Sequence, residues 1–163
     1  MAILEIRKYP DPILRRKALP IKEISQELID LSKNMIDTMR NASGIGLAAN
    51  QVGYNLRLIV VDGLKTSGPL VVINPEIVSS EEEEIKEEGC LSIPGYFEFL
   101  KRSKRVIVKG IDLQEKELTI ECEGIIARAF QHEIDHLDGI LFIDRLSPIK
   151  RSLFRKEYKN LEK

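Results

Sequence analysis

Residues 132–136 read His-Glu-Ile-Asp-His. On a helix this spacing sets the two imidazoles one turn apart, with Cβ atoms roughly 5–6 Å from each other, so that both can reach one ion. Glu133 lies about 100° round the same helix from His132 and can reach a water held beside that ion. The chemistry such a trio serves is metal-assisted hydrolysis. These are the only two histidines of the chain, which weighs against the bland alternative of histidines satisfied by hydrogen bonds at a core edge.

A hydrolytic site of this kind takes a third protein ligand and leaves the fourth position to water or substrate. A third histidine six residues after His136 would continue the motif, but position 142 is Phe142, which cannot bind metal. A downstream glutamate would be Glu157 or Glu162, both in a basic tail. A thiolate remains. Cys90 lies in Glu88-Gly89-Cys90-Leu91-Ser92, where the glycine lets backbone approach closely and Ser92, Pro94 and Gly95 indicate a turn. Cys122 stands in a strand-like apolar alternation and reads as a small core residue, so Cys90 is the better of the two candidates. The segment Gly44–Gly53 is rich in small residues but lacks the Gly-Lys-Ser/Thr ending of a phosphate loop.

The elements that must hold these groups follow from periodicity. Ile24, Leu28, Leu31, Met35 and Met39 recur at helical spacing behind Ser25, a candidate N-cap, which predicts a helix over 25–40. Strand-like runs follow at Arg57–Val61, Leu70–Ile73, Arg105–Lys109 and Glu117–Cys122. From Gly124 the helical period returns, with Ile125, Ala129, His132 and His136 on one face and Gly139 at the C-cap. A short basic helix is expected over 149–163. The expectation is an α+β fold, with antiparallel sheets packed around a central metal-binding helix and a helix at either end, as a single catalytic domain over 1–163. The acidic run Glu81–Glu84 reads as a solvated hairpin or strand edge.

A net charge of −1 gives no global case for binding nucleic acid or an acidic membrane surface. The N-terminus carries charges and prolines where a signal peptide needs an apolar run, and no stretch is long and apolar enough to span a bilayer. The expected location is the cytoplasm, with both cysteines as free thiols.

Taken together, Gly44-Ile45-Gly46-Leu47-Ala48-Ala49-Asn50-Gln51, Glu88-Gly89-Cys90-Leu91-Ser92 and Gln131-His132-Glu133-Ile134-Asp135-His136-Leu137-Asp138-Gly139 resemble, in order and spacing, the three signature motifs of the peptide deformylase family. The resemblance implies removal of the N-formyl group from the initiator methionine of nascent proteins, with release of formate. It implies Fe²⁺ as the ion, replaceable by Zn²⁺, Ni²⁺ or Co²⁺, on Cys90, His132 and His136, with Glu133 carrying the protons. Gln51 and the Leu91 amide take the place of the family's oxyanion donors. The peptide would hydrogen-bond along Ile45, Gly46 and Gly89, and the methionine pocket would draw on Ile45, Ile126, Ala129 and the His132 ring. Arg102 fits a family arginine and is expected to pair with Glu88, bracing the cysteine loop. Phe97 stands where many relatives carry an arginine. The basic tail, Lys150, Arg151, Arg155, Lys156 and Lys159, matches helices that dock on the ribosome in related enzymes. A peptidase sharing the histidine motif is opposed by Phe142, and an inactive binding relative by the presence of Glu133 and Gln51.

Overall fold

The computed structural model describes residues 2–63 and 68–161. Helix α1, Gln26–Asn41, starts where Ser25 accepts a hydrogen bond from the Leu28 amide at 3.2 Å, and it buries Leu28, Leu31, Met35 and Met39 as the spacing predicts. Strands β1 (Gly46–Ala48), β2 (Leu58–Val61), β3 (Leu70–Cys90), β4 (Ile93–Ile111) and β5 (Glu117–Glu123) form one antiparallel five-stranded sheet in the order of the chain. Helix α2, Gly124–Leu137, packs its Ala127, Phe130, Ile134 and Leu137 against Ile59, Val61, Val72, Val106 and Val108 of that sheet. Helix α3, Pro148–Leu161, lays Phe154 and Tyr158 on Tyr96 and Leu100 of β4. The expected α+β fold therefore stands, with its strands gathered into one sheet.

Two expectations change. The runs Leu70–Ile73 and Arg105–Lys109 are only parts of β3 and β4, which extend through the acidic stretch to form a long hairpin. Its turn is Leu91–Ser92, and Pro94 and Gly95 already belong to β4. The hairpin escapes a hydrophobic reading because its inward positions Glu88 and Arg102 serve polar contacts with each other and with α2.

The end of α2 is sharply defined. Gly139 sits at φ +76°, its amide bonded to the His136 carbonyl at 3.0 Å, and a Cβ there would fall 2.5 Å from the Arg15 carbonyl oxygen. Only glycine meets both demands. No helix among the described residues is long and apolar enough to cross a membrane.

Candidate metal centre

Helix α2 brings His132 and His136 side by side, ring centroids 4.9 Å apart, and the β3–β4 turn delivers Cys90 opposite them. One ligand atom from each of the three lies within 4.8 Å of the other two, and the Cys90 sulfur is 3.3 Å from Nε2 of His136. The alternatives fall away. Cys122 is half-buried in β5, and burial pushes its thiol up to about 11, away from the thiolate a metal needs. Glu157 is solvent-exposed on α3, and Glu162 lies outside the described residues.

A buried network holds the three ligands in place. Oε2 of Glu88 lies 2.6 Å from Nδ1 of His132 and accepts from Arg102 at 2.8 Å, while Oε1 accepts from Arg102 and from Arg128, each at 3.1 Å. Burial opposes the charge on Glu88, yet the bonds from His132 and Arg102 outweigh it and keep this carboxyl far below the ordinary range. Arg102 also donates to Asp135 at 2.6 Å, and Arg145 closes on both Asp135 oxygens at 2.7 Å. The expected Arg102–Glu88 pair is present as the centre of this larger cluster.

Arg128, Asp135, Arg145, Asn50 and the side chain of Gln131 also join the site, with no role predicted by residue type and spacing. Arg128 binds Glu88 and the carbonyls of Leu100 and Glu84, at 3.2 and 2.9 Å, joining α2 to both hairpin strands. Gln131 exchanges two bonds with the Ser103 backbone, and the Asn50 amide donates to the His136 carbonyl. The available signal was an arginine one turn before His132 on a helix otherwise destined for burial.

The donor set fits a divalent ion. Burial disfavours a charged His132, but Cys90, Glu133 and Glu88 around it hold its pKa well above the ordinary histidine value. Three acceptors around one imidazole call for positive charge at this point. Burial drives His136 the other way, with help from His132 and Arg102, towards the neutral form that coordinates metal. Oε1 of Glu133 is buried without a hydrogen-bond partner among the described residues, beside the ligand atoms. Burial pushes the Glu133 carboxyl up to about 7, overriding the opposing charges of His132 and Arg102, with Glu88 and Asp135 adding to the rise.

The centre opens on a cleft of about 530 Å³ walled by Ile45 and Gly46 on one side, Gly89 and Leu91 on the other, and Ile125, Ala129, His132 and Glu133 of α2. At its floor Gln51, almost wholly buried, accepts from the Ala48 amide at 2.9 Å, donates to Ser92 at 3.1 Å and lies 3.8 Å from the Cys90 sulfur. Gly46 is tight against the acid: a Cβ there would stand 2.7 Å from Oε2 of Glu133. Phe97 covers Gly89 from the rim. Ile126, expected in the methionine pocket, packs instead into the core beneath the sheet, and Ile125 lines the cleft. Neighbouring helical residues differ by about 100°, so the face shared by Ala129 and His132 includes position 125 and excludes 126.

Known proteins are similar to this chain over nearly its whole length. The family described as polypeptide deformylase matches residues 3–152. A peptide deformylase of Thermodesulfovibrio yellowstonii is 60% identical over 162 residues, 98% of either chain. The crystal structure of a peptide deformylase from Legionella pneumophila superposes with a TM-score of 0.92 at 45% identity, covering 99% of this chain and 96% of that one. The peptide deformylase of Ehrlichia chaffeensis in complex with actinonin gives 0.93 at 36% identity, over 100% and 99% of the two chains.

Proposed function

This chain belongs to the polypeptide deformylase family, metal-dependent hydrolases that remove the N-formyl group from nascent peptides, and from that premise we propose the part each residue plays. Residues 1–163 act as a single catalytic domain. Cys90, His132 and His136 hold the ion, and the observation that carries this is their convergence within 4.8 Å beside the unpartnered oxygen of Glu133. A divalent ion there supplies Lewis acidity and lowers the pKa of water.

The other steps belong to the protein. Glu133, its carboxyl poised near neutrality, accepts the proton of the attacking water and returns it to the departing amine. Charge growing on the formyl oxygen is met by the side-chain amide of Gln51 and the backbone amide of Leu91, and the loss of one such donor costs about 100- to 1000-fold in rate. The peptide lies extended between the backbones of Ile45 and Gly46 and that of Gly89. Its methionine side chain rests on Ile45, Ile125, Ala129 and the His132 ring.

The mixed thiolate and imidazole set suits Fe²⁺, which we propose as the ion in the cell, with Zn²⁺, Ni²⁺ or Co²⁺ able to replace it. The workplace is the cytoplasm, next to the ribosome. On α3 Ile149 and Leu153 are exposed among Lys150, Arg151, Arg155 and Lys156, while Phe154 and Tyr158 anchor the helix from its other face; the side chain of Lys159 lies outside the described residues. Salt-dependent ribosome binding that vanishes on removing 149–163 is the expected result, and equal binding by the shortened chain would refute it.

Formate release from a formyl-Met peptide, by protein prepared without oxygen and loaded with Fe²⁺ or Ni²⁺, tests the catalytic assignment beside a Glu133→Ala control. Activity in the parent and none in the variant is expected. A parent that binds one ion per chain and releases no formate would overturn it.

A further inference from the structure

We propose that the outer face of the β3–β4 hairpin continues the cleft as an apolar track for the residues of the nascent peptide beyond the methionine, a proposal that rests on the deformylase reading of the cleft. The register pairs Gly89 with Phe97, Glu87 with Phe99 and Ile85 with Lys101, without a bulge between them. Side chains on a strand alternate between faces, so these six share one face of the hairpin. The opposite face, carrying Tyr96, Leu100, Glu88 and Arg102, is buried.

An outward face is expected to be polar, and farther along, at Glu81 and Glu83, this one is. Next to the cleft it is not. Phe97 is 61% exposed, Phe99 51% and Ile85 61%. Their line begins at the cleft itself, since Gly89 and Phe97 are both part of its wall. From Gly89 to Ile85 the strand advances about 13 Å, the span of roughly four residues of an extended peptide. A chain leaving the cleft over Gly89 thus meets Phe97 first, then Phe99, then Ile85.

Charge on the track adds a preference. Lys101 is drawn to Glu83 at 3.9 Å, whereas Glu87 has no cationic partner among the described residues. An acidic peptide residue would therefore face an uncompensated carboxylate, and an apolar one would cover ring surface.

The experiment compares kcat/KM for formyl-Met-Ala with formyl-Met-Ala peptides extended by leucines, by serines or by aspartates, using the metal-loaded parent and an Ile85→Ser/Phe99→Ser double variant. In the parent the leucine extension lowers KM about tenfold relative to serine and the aspartate extension raises it. The double variant loses the leucine advantage while its KM for formyl-Met-Ala, which stops short of both side chains, stays the same. Equal KM for leucine and serine extensions in the parent, or a leucine advantage intact in the variant, would overturn the track. A parent inactive on formyl-Met-Ala itself would mean that the deformylase reading had failed first. Sedimentation covers the remaining occupant: a dimer that the double variant dissociates would assign the face to a second copy and overturn the proposal.

Discussion

Nδ1 of His132 lies 2.6 Å from Oε2 of Glu88, which leaves Nε2 as the nitrogen that faces Cys90. The carboxylate thus selects which nitrogen is offered to an ion and fixes the plane of the ring. Replacing Glu88 with Gln weakens that acceptor and leaves Arg102 and Arg128 without their shared anion. Affinity for Co²⁺ or Zn²⁺ in competition with a chelator is expected to fall about 10- to 100-fold. Unchanged affinity would show that the helix alone aims the imidazole.

Arg102 serves two carboxylates at once. Its side chain is 3% exposed and bonded to Glu88 and Asp135, so Arg102→Ala takes one buried cation from two buried anions at once, leaving Glu88 to Arg128 and Asp135 to Arg145. A loss of about 3–5 kcal/mol is expected in urea unfolding. Arg128→Met should cost less, about 1–3 kcal/mol, because Glu88 keeps Arg102 while the Glu84 and Leu100 carbonyls lose their donor. The reverse order would relocate the centre of the network to Arg128.

Gly46→Ala places a methyl group 2.7 Å from Oε2 and 2.9 Å from Cγ of Glu133. The glutamate must move, and misplacing a proton carrier by an ångström costs about 100-fold. Expected is a fall in kcat of that order with metal content unchanged, read from formate release and elemental analysis. Full activity would mean that Glu133 reaches the water from another rotamer.

The raised pKa of Glu133 also marks stability. Its carboxyl is pushed up from 4.5 in the unfolded chain to about 7 in the metal-free fold, so between those values the folded state holds the extra proton. Stability therefore falls as pH rises through that window, and the full penalty, about 3 kcal/mol, is present above it. In metal-free protein Glu133→Gln should match the parent at about pH 4 and exceed it at about pH 8 in chemical unfolding. A pH-independent difference would show that Glu133 is not held protonated.

How far these features could be read from the chain depends on what each residue does. His132, Glu133 and His136 are legible because a coordination sphere demands fixed types at fixed helical spacing. Ser25, Gly139 and the α1 stripe are legible because caps and cores obey local rules. The acidic run is legible as a hairpin or strand edge, but the hairpin's full length is not, since Glu88 and Arg102 point inward to one another and no apolar alternation records it. Arg128 belongs to the same blind spot: its partners lie 28 to 44 residues away in sequence, beyond any local pattern. Ile126 was misplaced by a single step of helix rotation, the finest interval that periodicity resolves.

The hairpin has one more consequence. Strand β2 pairs with β3 only as far as Ile73, so beyond it the outer edge of β3 is left without a partner strand among the described residues. An open edge of that length invites a second copy of the chain to add its own β3, a route to aggregation. The carboxylates of Glu81, Glu82, Glu83 and Glu84 stand on it, and edge-to-edge pairing would bring like charges to about 4.8 Å. Repulsion there closes the edge to the protein's own kind while the uncharged end at Gly89 stays open to an incoming peptide. The acidic run thereby works as a filter on self-association, exerted some distance from the chemistry it protects.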